Sequence, residues 1–299
     1  MRSLMRGPVS RFLFLGALAV SWSPSSLPAW DWPVTEPIIA MSFAQAGGGD
    51  YSRRLELGSE EPTVSAAHPG EVVLRRTAER AFHAPPGVLG NLLVLDHGQG
   101  FRSIYAHLGE LTVPPSESEL AEGDLLGLLG GSGFSSGEFL GFYVSDRELS
   151  SFVNPLVLLP ERQDTRPPVI GDLFVETQEG RQLVTSELVV SPGQVAFYAE
   201  VYDPNPTSPF PAPLTPYSIR AFVDGRQVFD LTLESIQIRD GRLMAGSDFV
   251  LPQPPRPGQE LPMGQATLLT GTSVVEIVAE DYAGNRSVRS VEIQVRTTP

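Results

Sequence analysis

Few residues in this chain are equipped for acid–base or metal chemistry. It has four histidines, His68, His83, His97 and His107, and no cysteine. Without cysteine there are no disulfides, thiolate metal sites, cysteine nucleophile or lipidated N-terminal cysteine. No two histidines stand four apart or as His-x-His, the spacings that present two imidazoles to a metal from one element. The other candidates lie in Tyr51-Ser52-Arg53-Arg54-Leu55-Glu56-Leu57 and in Glu138-Phe139-Leu140-Gly141-Phe142-Tyr143. Arg53 and Arg54 suit a carboxylate-bearing peptide or an acidic partner, and equally suit a solvated strand edge. Phe139 and Tyr143 suit a ligand groove, with part of that aromatic run reserved for the core by alternation.

Positioning these residues requires short strands. Asn91–His97 and Arg102–Leu108 read as a hairpin closed by Gly98 and Gly100. Val64–Leu74 reads as strand, turn, strand around His68-Pro69-Gly70, and Ile38–Phe43 as an earlier strand. No segment before Pro160 carries a sustained 3.6-residue apolar period, so the region is read as almost wholly β.

The order of these pieces resembles the LytM/lysostaphin-type zinc peptidoglycan endopeptidases. Five stretches carry the resemblance: Thr63–Val72 around Gly70, Tyr105-Ala106-His107-Leu108, Leu120–Gly133, Ser135-Ser136-Gly137, and Val153-Asn154-Pro155. Glycine-rich turns are weak singly; five in order at compatible spacing are specific. The resemblance implies a zinc held by a His-x-x-x-Asp motif and by the second histidine of a His-x-His motif. Here Ser52 stands for the first histidine, Glu56 for the aspartate, Phe139 for the second motif's first histidine and Gly141 for its second. Glycine donates nothing and a serine hydroxyl is a poor zinc ligand, so Ser52, Glu56 and Gly141 are read as vestigial metal positions and Phe139 as the vestigial second-histidine position. Of the family's catalytic histidines only His107 remains. The resemblance therefore implies a pseudoenzyme with no catalytic residues and no metal. Its groove candidates are Arg53, Arg54, Tyr105, His107, Phe139 and Tyr143.

Composition bounds the setting. The formal net charge of −14 offers no basic surface for nucleic acid. Arg2, Arg6 and Arg11 precede the apolar run Phe12–Val20 and the polar, small and Pro-containing Ser21–Ala29, the order of a secretory signal. That run is shorter than the roughly 20 residues of a membrane span. The expectation is an exported protein of the periplasm or cell envelope, with no membrane anchor after signal cleavage.

Arg162–Pro168 is a polar, proline-bearing junction. Beyond it, strand candidates recur up to Ser290–Val295, and the Ala-Glu-Asp-x-x-Gly-Asn pattern at Ala279–Asn285 resembles bacterial immunoglobulin-like domains. Pro204–Pro216 and Pro252–Pro262 read as long loops. The fold expected is all-β: a small LytM-like β-sheet domain of the duplicated-hybrid-motif type plus a C-terminal immunoglobulin-like β-sandwich. Residues 1–29 are read as signal peptide, 30–160 as the degenerate peptidase-like domain, 161–168 as linker and 169–299 as sandwich. The expected function is binding peptidoglycan or regulating a cell-wall hydrolase, without a cofactor. The alternatives are a zinc endopeptidase cleaving peptidoglycan cross-links, and a structural envelope adaptor acting through the sandwich.

Overall fold

The computed structural model describes residues 30–297 apart from 48, 78–86, 206–212, 247–248 and 253–259. The expected signal segment, His83 and most of both Pro-rich stretches lie outside these. The described chain is β throughout, with one 3-10 turn at Pro155–Val157. No helix among the described residues is long and apolar enough to cross a membrane.

The centre of the first unit is an antiparallel sheet in the order Gly70–Arg76, Asn91–Asp96, Phe101–Leu108, Leu140–Asp146. The hairpin read from sequence is present, with Leu95 opposite Ser103. Strand Leu55–Gly58 pairs with the first half of Leu140–Asp146, and Ile38–Met41 pairs with Leu55–Gly58 in turn. Alternation sorts the two faces. Leu55, Leu57, Leu93, Leu95, Tyr105, Leu140 and Phe142 point inward and are fully buried. Each is a side chain whose burial contributes roughly 1.5–3 kcal/mol. The alternate residues of the same strands, Glu56, Gly141 and Tyr143, are thereby left to share the other face.

Most of the described strands between residues 169 and 295 form two further sheets. One runs Gly180–Leu183, Val169–Thr177, Gly193–Tyr202, Leu261–Leu268. The other runs Val189–Val190, Arg286–Val295, Gly271–Glu280, Ser218–Val223, Arg226–Thr232. Val175, Phe197 and Met263 from the first meet Ile219, Ile277 and Ile293 from the second in a shared core. Two sheets face to face make a sandwich.

One segment departs from the sequence reading. The sequence reading places Ser235–Val250 wholly in the second domain, but its strands extend the sheet of the first. Ser151–Val153 pairs antiparallel with Ser235–Arg239, placing Phe152 opposite Ile236. Arg242–Ala245 and Phe249–Val250 continue the sheet outward. The physical reason is the open edge at Ser151–Val153, whose unpaired peptide groups a second strand satisfies. Asn154 fastens the seam. It is fully buried, its Oδ1 accepts from Leu156 N (3.1 Å), and its Nδ2 donates to the Leu233 carbonyl (2.8 Å) and the Tyr282 hydroxyl. Its backbone N donates to the Glu234 carbonyl at 2.8 Å. The Val153-Asn154-Pro155 motif thus clasps the two units together.

Candidate functional site

On the outer face of the first sheet, Gly141 stands between Glu56 on one neighbouring strand and Ala106 on the other. One position along, Tyr143 meets Arg54, whose Nη1 donates to the tyrosine hydroxyl at 3.2 Å and whose Cζ lies 5.7 Å from the ring centre. Arg54 Nη2 donates to Glu56 Oε1 in a short ion pair. The other carboxylate oxygen takes a long contact from Ser136 Oγ at 3.5 Å. Arg54, Glu56 and Tyr143, together with Ser136 from the glycine-rich loop, therefore surround the bare backbone of Gly141.

His107 reaches this cluster by an irregularity. Strict alternation after buried Tyr105 would turn it toward the core. Instead the register slips between Leu93–Tyr105 and Asn91–Leu108, leaving an extra residue in the later strand. His107 takes φ = 65°, a left-handed conformation uncommon outside glycine, and its N–H donates to Leu89 O at 2.9 Å. The bulge swings the ring onto the outer face, where a Cβ built on Gly141 would stand 2.9 Å from its Cδ2.

His107 Nδ1 lies 2.9 Å from the Ser132 carbonyl, an acceptor only, so Nδ1 carries the proton and Nε2 keeps its lone pair. That Nε2 is buried without a hydrogen-bond partner. Burial holds the imidazole pKa below its usual value, aided by the Arg54 charge and opposed by the Ser132 bond and Glu56. For Arg54, burial works against the charged form, but Tyr143 and Glu56 outweigh it and raise the guanidinium pKa. The site therefore holds a fixed cation beside a neutral histidine.

The remaining candidates separate. Ser52 is spent locally: its Oγ donates to the Arg54 carbonyl at 2.9 Å. Arg53 turns to Asp50, with Nη2 2.9 Å from Oδ2. Phe139 lies on the cluster's face, its ring 3.5 Å from where a Gly58 Cβ would be and 2.7 Å from that of Gly137. Tyr105 is corrected. It is fully buried, its hydroxyl accepting from Ala67 N at 2.8 Å, so it belongs to the core and lines no groove. In the sequence Ser132 and Ser136 stand only as parts of glycine-rich turns. Their site contacts, Ser132 O with His107 and Ser136 Oγ with Glu56, span long sequence separations that no local pattern reveals.

The zinc implied by the resemblance fits these residues poorly. The single carboxylate already carries a guanidinium, the serine hydroxyl is turned into its own loop, and Gly141 offers no atom. A metal would have to enter beside the Arg54 charge.

Comparison with known proteins agrees with the fold. The family model described as Peptidase family M23 matches residues 54–155, and another family model matches residues 167–296. The murein hydrolase activator NlpD of Escherichia coli (strain K12) is 31% identical over 136 residues, covering 46% of this chain and 32% of that protein. An uncharacterised protein of Treponema pallidum is 32% identical over 108 residues, covering 33% of this chain and 74% of that protein. A zinc-containing peptidase from Vibrio cholerae aligns at 22% identity over 40% of this chain and 37% of its own, with a TM-score of 0.34. This chain spans about a third of the length of NlpD. Residues 54–155 of this chain are a domain of peptidase family M23.

Proposed function

We propose that this protein is a non-catalytic member of its family, which binds and regulates a cell-wall hydrolase through the face built on Arg54, Glu56, His107 and Tyr143. One observation carries the reading: the Arg54 guanidinium sits on Glu56 directly across from Gly141, where the family's metal would be held. A protein side chain supplies the positive charge, so the site needs no metal for its electrostatics. The likeness to NlpD, itself named a murein hydrolase activator, supports the choice of partner. Export to the periplasm or envelope belongs to the same proposal. So does the immunoglobulin-like character of the sandwich, which supports the domain through the Asn154 seam. Peptidoglycan held in the same groove is the companion reading.

A zinc endopeptidase remains the specific alternative, because His107 Nε2 lies buried and unpartnered beside Glu56. Zinc content after equilibration, together with dye release from labelled murein sacculi, separates the two. The proposal expects a zinc ratio near zero and no release by the chain alone, but faster release when the chain is added to a purified envelope murein hydrolase. One tightly held zinc per chain, or release by the chain alone, overturns it. Partner stimulation by the sandwich with the M23 face disabled (Arg54→Glu) would instead favour the adaptor.

A further inference from the structure

Away from that face, three carboxylates converge where the M23 domain, the linker and the sandwich meet. Asp164 comes from the linker, Asp203 from the end of a sandwich strand, and Asp281 from the turn between the last two strands. One oxygen from each lies within 4.8 Å of the others. Asp203 is 5% exposed and Asp281 2% exposed. Such a group of buried anions is costly unless something positive or a proton compensates it.

The partners differ in a telling way. Asp281 is committed: Oδ1 accepts from Ala283 N (2.9 Å) and Asn285 N (2.8 Å), and Oδ2 from Asn285 Nδ2 (2.9 Å). Asp164 Oδ1 accepts from Arg166 N at 2.9 Å, and its carbonyl accepts from Asn285 Nδ2 at 3.0 Å. Asp203 Oδ1 is buried with no hydrogen-bond partner. Among the described residues, no ion pair includes any of the three. Arg162 lines the same cavity and its charge interacts with Asp164, but its guanidinium lies over the Trp32 ring at 6.0 Å and makes no ion pair with the three. The cavity between these residues has a volume of about 70 Å³, room for an ion and a few waters.

We propose that Asp164, Asp203 and Asp281 bind one calcium ion, which fastens the linker to the sandwich beside the Asn154 seam. All three donors are hard carboxylate oxygens, the set that calcium takes and zinc or copper does not favour. Three protein carboxylates at one site suit calcium, which takes six to eight oxygen ligands in flexible geometry, better than magnesium, which is usually held by one or two carboxylates and keeps several waters. Waters in the cavity would complete the coordination. Burial, then the charges of Asp281 and Asp164, push the Asp203 carboxyl up to about 7, as expected of an anion lacking its counter-charge.

The full chain, stripped with chelator, is titrated with calcium chloride alone and in parallel with magnesium chloride, by calorimetry and by thermal melting. The expected result is one calcium per chain, a saturable rise in melting temperature, and at least tenfold weaker magnesium binding. Asp203→Asn is expected to lose the calcium response while melting, without calcium, at or above the wild-type temperature, so the loss does not reflect misfolding. Asp164→Asn, on the more exposed linker, is expected to weaken calcium binding at least tenfold. A wild-type chain with no calcium response up to millimolar concentrations overturns the proposal. So does an unchanged response in both variants, or magnesium binding as tight as calcium.

Discussion

Removing the charge of Glu56 tests whether Arg54 is a fixed cation of the site. In Glu56→Gln the guanidinium keeps a hydrogen-bonding neighbour but loses its counter-charge. The side chains are 10% and 24% exposed for Glu56 and Arg54, so the pair lies between a buried and a surface ion pair. Exposed pairs couple by about 0.2–1 kcal/mol. Removing one partner of a fully buried pair costs about 3–5 kcal/mol. For this pair, Glu56→Gln and Arg54→Met are each expected to destabilise by about 2–3 kcal/mol. In Arg54→Met the carboxylate is the group left buried without its partner. The double variant leaves no orphaned charge, so its cost should fall below the sum by about 2 kcal/mol. Urea unfolding followed by tryptophan fluorescence is the assay. Trp30 and Trp32 lie in the first unit, with Trp30 buried against the sheet core; the third tryptophan, Trp22, lies in the expected signal segment. Coupling below about 0.5 kcal/mol would put the pair among ordinary surface contacts. The case for a guanidinium standing in the metal's place would then fail.

Three further outcomes follow from named contacts. Gly141→Ala places a Cβ 2.9 Å from His107 Cδ2, and His107 is tied to Ser132, so a thermal melt should show a loss of about 1–2 kcal/mol; a neutral result would mean the ring swings away freely. Asn154→Ala leaves Leu233 O with only the long bond from the Tyr282 hydroxyl (3.3 Å), orphans the Leu156 N–H at the seam, and should cost about 2–4 kcal/mol in urea unfolding, with earlier proteolysis at the seam. The Asp203 carboxyl is raised from 3.8 to about 7 by burial and then by Asp281 and Asp164. Between those values the folded state holds a proton the unfolded state has lost, so its contribution to stability falls as pH rises through that window. In calcium-free buffer Asp203→Asn should therefore gain stability over wild type at pH 8 and lose that gain toward pH 4; an equal difference at both ends would remove Asp203 as the titrating group.

Much of the scaffold was legible because it is written locally. A short apolar run at Leu92–Leu95 and the β-rich stretch Phe101–Leu108, with glycines between, specify a hairpin without reference to the rest of the chain. The bareness of Gly141 and the lack of a histidine at residue 52 were equally plain. Tyr105 stands next to site residues in sequence, but its place in the strand, in phase with buried Ser103, puts it in the core. Arg54 and Glu56 are both visible as candidates in the sequence, but their partnership is not. Which face a strand residue takes depends on the neighbour it pairs with.

An all-β chain with the order of an M23 domain, and the replacement of histidine at residues 52, 139 and 141, can be read from local residue patterns alone. Where the chemistry converges is visible only once the chain is folded. A one-residue bulge brings His107 to Gly141, an open sheet edge draws in Ser235–Val250, and Asp164, Asp203 and Asp281 meet from three separate segments. Each is a contact across long sequence separation, fixed by strand register and burial rather than by any run of neighbouring residues.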